Sequence, residues 1–329
     1  RDSQKLVIYN WGDYIDPELL EQFTEETGIQ VMLRFYPYGN SGFRPLSGGN
    51  HPGLLAKIKE KGNFMQLQCD VHTHTLYSRH AYSTILENVH AAKEAGLKLL
   101  GSTDHFSSML YPEYDNIRHY QYLCVSHTWP KEIEGVRLLQ GCEVDIVDLE
   151  GNLFGYDIPI AKNIDGDFYS DGKVLSLYER VTRKMDYVIA SVHRHGFADA
   201  ASPLACTKLY LSALQHKKVL ILGHIGRSGL PFEIDPVLLA AKEAHKLIEI
   251  NNHSMDSGSR IVDRCRQIAL RCAELSVPIS VSSDAHFALR IGQLDAVKKM
   301  LSEIHFPEEL IATRTKDSFL DALKKAGLS

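Results

Sequence analysis

At 329 residues the chain is long enough for one large α/β domain or two smaller ones, and burying a sizeable core poses no difficulty. Apolar residues at 44% and charged residues at 23% are those of a soluble globular protein and exclude disorder, collagen-like repeats and a disulfide scaffold. A formal net charge of -5 offers no broad basic field for a phosphate backbone, so nucleic acid is not an expected partner.

Six cysteines (Cys69, Cys124, Cys142, Cys206, Cys265, Cys272) carry neither a CxxC pair nor a framework spacing, so they read as reduced thiols packed as small hydrophobes. No stretch approaches the roughly 18 to 20 unbroken apolar residues of a membrane span, and the opening RDSQKLVIYN lacks an apolar signal core. A cytoplasmic location without a membrane partner is expected. Because the chain opens on Arg1 rather than Met, a preceding piece is expected to have been removed or left out.

The first 64 residues form an appendage distinct from the rest. A strand (KLVIYN), a helix (DPELLEQFTEETG) and a second strand (IQVMLRFY) give a β-α-β pattern, followed by the Gly/Pro/Ser/Asn-rich run PYGNSGFRPLSGGNHPG, a linker by composition. Met65 then opens MQLQCDVHTHT, a natural start for the second segment, 65–329.

From there β-rich runs at 66–71, 97–103, 136–146, 187–193, 218–224, 246–251 and 278–283 alternate with helical stretches at 84–96, 203–216, 235–245, 258–275 and 316–326. The alternation predicts an α/β fold with a parallel sheet and crossover helices. Gly96 supplies a stop signal for the first helix. Seven β/α units suit a closed or nearly closed barrel, in which chemistry gathers where the strands end and the loops converge.

The residues at those strand ends are the central feature. They run Asp70-Val71-His72-Thr73-His74, Thr103-Asp104-His105, Cys142-Glu143, Val192-His193, Gly223-His224 and Ser283-Asp284-Ala285-His286. Side chains alternate faces along an extended chain, so His72 and His74 point the same way, as do Asp284 and His286. So many ionisable groups at one rim are costly unless something pairs with them. Imidazole and carboxylate together suit zinc and its first-row neighbours iron and manganese, whereas an all-oxygen set would suggest calcium or magnesium.

These residues resemble the PHP (polymerase and histidinol phosphatase) superfamily, and within it the YcdX-type phosphatases. The matching motifs are DVHTHT with the following SRHAYST, then STDH, GCEVDI, ASVH, LGH, IEINN and SSDAH, in order over residues 66–326. The resemblance implies a distorted (β/α)7 barrel with a trinuclear site of divalent cations, zinc first. Its ligands would be His72, His74, His80, His105, Glu143, His193, His224, Asp284 and His286. Glu143 would bridge, with His72, His74 and Asp284 on one cation, His193 and His224 on a second, and His80, His105 and His286 on a third. Departures fall on the mouth: HIGR stands where the YcdX-type pattern resembles HPGN, HRHG replaces HEP, and 106–135 and 148–175 differ.

The implied activity is hydrolysis of a small phosphomonoester by a metal-activated hydroxide, with Glu143 and Asp284 at the centre. Arg194 and Arg227 follow cluster histidines and are candidates to grip phosphate through paired hydrogen bonds; Arg79 and His195 share that role by position. Asp104 and Asp70 adjoin histidines in sequence and could orient an imidazole. Asn251 and Asn252 are expected to support loops, and His51, His90, His119, His127, His216, His245, His253 and His305 to serve surface or packing roles. Histidinol phosphate is the named alternative substrate within the superfamily, and a PHP-type nuclease would need a basic groove. Residues 5–33 resemble the start of spermidine/putrescine-type binding proteins, in which Trp11 and Tyr14 would line a polyamine pocket. That likeness ends near Phe35, and so short a fragment lacks the two lobes of such a protein. The oligomeric state stays open.

Overall fold

A computed structural model of the chain describes residues 65–110, 116–125, 128–193 and 196–328, together with Glu25, Thr27 and the strands Lys5–Asn10 and Gln30–Phe35. Two compact units divide it, Arg1–Lys61 and Gly62–Ser329. In the first, the two strands pair in parallel from Lys5 opposite Gln30 to Asn10 opposite Phe35, a pairing that demands a crossover between them. Trp11, Tyr14, most of the helix expected at 16–28 and the Gly/Pro-rich linker lie outside the described residues.

The second unit is built on seven parallel strands: β1 (Cys69–Thr73), β2 (Leu99–Ser102), β3 (Val136–Asp145), β4 (Tyr187–Ser191), β5 (Val219–Leu222), β6 (Leu247–Asn251) and β7 (Ile279–Ser282). They neighbour one another in strict chain order from β1 to β7. The seam between first and last is closed just past the strand ends, where Thr73 bridges Ala285, the His74 amide donates to the Ala285 carbonyl and the Asp284 amide donates to the His72 carbonyl, both at 2.9 Å. Register shifts within β1/β2 and β4/β5 make the barrel irregular. The architecture is the distorted (β/α)7 barrel expected. β1 begins at Cys69 rather than at 66 because the preceding chain is tied elsewhere, with the Gln68 amide donating to the Arg314 carbonyl.

Around the sheet run α1 (Ile85–Glu94), α2 (Gln121–Cys124), α3 (Leu177–Thr182), α4 (Pro203–Ala213), α5 (Ile234–Glu243), α6 (Ser259–Leu275), α7 (Asp295–Glu303) and α8 (Lys316–Lys325). Local chemistry sets their ends. Thr84 and Glu87 close a reciprocal capping box on α1, and Pro203 opens α4 behind the Ser202 cap. Gly96 ends α1 with φ of 77°, its amide reaching the Lys93 carbonyl while Leu97 reaches Ala92, the paired bonds of a Schellman motif. None of the helices is long and apolar enough, among the described residues, to cross a membrane.

The barrel interior is filled rather than hollow. Tyr187, Leu139, Leu99 and Leu247 pack with Cys69, Val71 and Ile189, and Phe319 and Leu323 of α8 join that cluster. The Tyr187 hydroxyl donates across the interior to the Val71 carbonyl at 2.5 Å. Gly101 makes this possible, since a Cβ there would lie 2.0 Å from the Tyr187 oxygen. Five cysteines are buried and Cys124 is half-buried, all as free thiols.

Three helices end like α1 but without glycine. Ser276, His245 and His305 hold φ between 50° and 54° after α6, α5 and α7, a conformation that costs an L side chain roughly 1 kcal/mol. Ser276 is exposed, its amide reaching Ala273 and the next amide reaching Cys272. Ser276→Gly is expected to raise the unfolding free energy by about 0.5 to 1 kcal/mol. Urea titration checks it: a midpoint that falls or stays put contradicts the assignment of strain.

Candidate metal centre

At the C-terminal mouth of the barrel, side chains from five other strands or the turns after them gather around Glu143, which is fully buried near the end of β3. The short strand His105–Phe106 extends the sheet beside it, with His105 directly opposite Glu143. Oε2 of Glu143 lies 2.9 Å from His105 Nδ1, 3.2 Å from His72 Nε2 and 3.6 Å from His74 Nε2. Oε1 lies 2.8 Å from His224 Nε2 and 3.2 Å from His193 Nε2, and accepts from the Ser191 hydroxyl at 2.6 Å. Asp284 Oδ1 lies 3.2 Å from His74 Nε2 and 3.6 Å from His72 Nε2. His80 Nε2 sits 3.2 Å from His105 Nε2 and 3.0 Å from His286 Nε2. All nine residues singled out for a metal therefore meet in one cluster.

The rings are held by their outer nitrogens. His72 Nδ1 contacts Glu249 at 2.7 Å, His193 Nδ1 contacts Asp145 at 2.7 Å, and His286 Nδ1 contacts the Asp284 carbonyl at 3.0 Å. His74 Nδ1 faces the Ser78 hydroxyl at 3.0 Å, and that hydroxyl donates to Asp104. Carboxylates and carbonyls only accept, so each Nδ1 carries a proton and each Nε2 is directed inward, where a cation can take it once any proton on it has left.

Several inward atoms have no hydrogen-bond partner although they are buried: His72 Nε2, His74 Nε2, His105 Nδ1 and Glu143 Oε2. Leaving such atoms unmatched is costly, and a set of imidazole nitrogens facing a carboxylate oxygen is what a divalent cation satisfies. Three overlapping groups have donor atoms close enough to share an ion: His72, His74 and Glu143; His74, His105 and His286; His105, Glu143 and His193. The donors fit divalent cations.

The other sequence candidates divide. Arg227 lies in the wall of the cleft, its Nη2 donating to Asp284 Oδ2 at 2.7 Å. Arg194 and His195 lie outside the described residues. Arg79 turns away, donating to the Leu110 carbonyl at 2.8 Å. Neither aspartate touches an imidazole directly: Asp104 accepts from Thr75 and Ser78 and reaches His74 only through Ser78. Asp70 binds the Ser283 and Gly292 amides and so fixes the turn that presents Asp284. Asn251 contacts Asp284 at 3.1 Å, and Asn252 accepts from the Val297 amide, as loop supports.

Sequence reasoning missed Glu249 and Asp145. Glu249 holds His72 with one oxygen and accepts the His224 amide at 2.8 Å with the other. An acid inside the otherwise apolar run LIEIN was its available signal. His253, expected in a surface or packing role, lines the cleft beside His286. His216 does pack, its ring edge-on to Tyr178, whereas His51 and His127 lie outside the described residues.

Comparison with known proteins decides the family. The model of the PHP domain matches residues 70–268. A probable phosphatase of Clostridium acetobutylicum is 35% identical over 265 residues, covering 80% of this chain and 97% of that protein. A probable phosphatase of Clostridium botulinum is 37% identical over 267 residues with the same two coverages. The chain belongs to the PHP domain family. That kinship makes it a phosphatase-type hydrolase. Among solved structures, histidinol phosphate phosphatase from Lactococcus lactis, complexed with Zn, L-histidinol and phosphate, is similar at 16% identity and a TM-score of 0.47, covering 74% of this chain and 95% of that one.

Charge within this PHP site is tightly balanced. Burial pushes the Glu143 carboxyl up, but His193, His72 and His105 outweigh it and hold it well below the usual carboxylate range. Burial likewise opposes a charge on His72, yet Glu249, Glu143 and Asp284 raise it well above an ordinary histidine. His193 is carried to about 10 against burial by Glu143 and Asp145. Burial lowers His74 and brings His286 down to about 4. At pH 7 the metal-free protein therefore keeps His72 and His193 protonated, and a cation that takes their Nε2 atoms must expel those protons. Titrating zinc into metal-free protein at pH 7 is expected to release about two protons per chain, read with a pH indicator in weak buffer. Uptake without proton release would contradict this charge assignment.

Proposed function

We propose that the chain hydrolyses small phosphomonoesters at a trinuclear centre of divalent cations. The observation that carries this reading is the convergence of buried, unpartnered imidazole nitrogens on the single carboxylate of Glu143. His72, His74 and Asp284 would hold one cation, His193 and His224 a second, and His80, His105 and His286 a third, with Glu143 shared. Zinc is the proposed metal, with iron or manganese compatible with the same donors. When bound, such cations supply Lewis acidity, lowering the pKa of water and neutralising phosphoryl charge.

The chain's own residues do the rest. Arg227 stands in the cleft wall with its guanidinium aligned by Asp284, where it can turn a paired donor face to a phosphoryl oxygen. Arg194, next to His193 in sequence, is proposed for the same task. Glu249, Asp145 and the Asp104–Ser78 pair keep the imidazole rings in one orientation, so positioning is settled before substrate arrives. A cleft of about 630 Å³, lined mainly by histidines with Arg227, Ser228 and Gly229, suits a small phosphorylated substrate. Every residue invoked lies between positions 72 and 286, so the first 64 residues are proposed as an appendage that the chemistry does not use.

Elemental analysis of purified protein alongside a phosphomonoester panel tests the proposal. Stoichiometric transition metal, loss of turnover on chelation and its return on adding zinc, manganese or iron are the expected results. A chain that stays active after complete metal removal would overturn it. Arg227→Lys is expected to lower kcat/KM by about tenfold, mainly through KM, because an ammonium cannot reproduce a two-pronged contact. An unchanged KM would remove Arg227 from substrate binding.

A further inference from the structure

Beside the cleft lies a second, smaller groove of about 290 Å³. The two share the wall formed by His253, Asp284 and His286, so a molecule whose phosphoryl group sits over the cluster can extend into the groove. Its flanks are Tyr82 and Phe287, 71% and 46% exposed, which is unusual for large rings that gain from burial. Both are tied to the centre: Phe287 follows His286, and the Tyr82 amide donates to the His286 carbonyl at 2.9 Å. Asn252 and Arg290 add polar groups to the lining. Among its described lining residues the main cleft has histidine rings but no tyrosine, phenylalanine or tryptophan.

Building on the phosphomonoesterase reading, we infer that this groove is the subsite for the leaving group and that it selects a flat aromatic ring held by Tyr82 and Phe287. The oxygen of a water molecule bonds to phosphorus as the ester P–O bond breaks, and the proton lost by that water passes to the departing oxygen, leaving inorganic phosphate over the histidine cluster and an alcohol whose ring lies in the groove. Rings in contact with aromatic side chains gain from face or edge packing beyond simple burial, which a puckered ring of equal size gains less. The histidine-lined cleft explains retention of phosphate; the groove explains discrimination among its esters.

Benzyl phosphate and cyclohexylmethyl phosphate have alcohols of similar acidity and size but differ in flatness, and ethyl phosphate is too short to fill the groove. The protein with its cations is expected to favour benzyl over cyclohexylmethyl phosphate by about tenfold in kcat/KM. Tyr82→Leu and Phe287→Leu should each cut benzyl phosphate turnover by about three- to tenfold while leaving ethyl phosphate within about twofold, and Tyr82→Phe should restore the preference. No ring preference, or equal losses on all three esters, overturns the inference while leaving the hydrolase reading intact. Calorimetry with benzylphosphonate and cyclohexylmethylphosphonate, which cannot be hydrolysed, reads the subsite without turnover. Ring-selective binding that Tyr82→Leu abolishes supports the groove even if no ester is cleaved, an outcome that would sink only the hydrolase reading; equal binding of the two phosphonates overturns the groove.

Discussion

A carboxylate shut away from water keeps its charge only if opposite charge and hydrogen-bond donors surround it, and Glu143 meets that condition with five imidazoles from four segments of the chain, His193, His72 and His105 foremost. Everything else at the mouth follows from this arrangement. The rings must approach within about 3 to 4 Å of one carboxylate, so they must come from neighbouring strand ends, and each needs an acceptor behind it to fix which nitrogen faces inward. Glu249, Asp145 and Ser78 provide those acceptors. Since carboxylates and imidazoles balance one another, the site exchanges protons for cations instead of gaining a large net charge.

The barrel below the mouth supplies rigidity. Its interior holds Tyr187 clamped to the Val71 carbonyl, with glycine at 101 because any side chain would strike the tyrosine oxygen. Along β3 the inward positions pass from Leu139 through Gly141 to Glu143, from apolar packing through a close approach to the charged centre. The same period of two takes β4 from Tyr187 through Ile189 to Ser191, whose hydroxyl holds Glu143. Apolar packing low in the barrel thus fixes the height and direction of the polar groups at its rim.

How much was legible in the sequence follows from the same geometry. Seven strands could be read because each is a short apolar run bounded by turn residues, and eight of the nine cluster residues because they terminate those runs, whereas His80, in the loop after His74, was marked only by the family resemblance. The acceptors behind the rings were hidden for the opposite reason. Glu249 lies within β6, where strand-end reading does not look, and Asp145 closes β3 two positions past Glu143, the residue at which the sequence placed that strand's end. Asp104 and Asp70 adjoin histidines in sequence, but their side chains point away from those rings and bind amides and hydroxyls of neighbouring turns. Asp104 directly precedes His105, and immediate neighbours along an extended chain face opposite ways, so it is poorly placed to touch that ring; Asp70, two positions before His72, instead has its oxygens taken by the Ser283 and Gly292 amides. His253 was assigned a surface or packing role because it stands on a 3-10 turn after β6, where no strand periodicity marks its direction.

Two cluster residues adopt a backbone conformation that L side chains rarely take. His224 has φ of 29° and Asp284 has φ of 56°. Each costs of order 1 to 3 kcal/mol and persists only where neighbours over-determine it. Those neighbours are visible: Glu249 accepts the His224 amide, and the His72 carbonyl accepts the Asp284 amide. The second of these bonds is also part of the seam that joins the first strand to the chain beyond the last. Closing the barrel and aiming Asp284 are therefore one interaction, and the first bond uses the same Glu249 that orients His72. Strain at the two turns is balanced by contacts that fold and site share, so loosening either turn would open the seam or release a ring, and the cluster could not relax locally without the sheet.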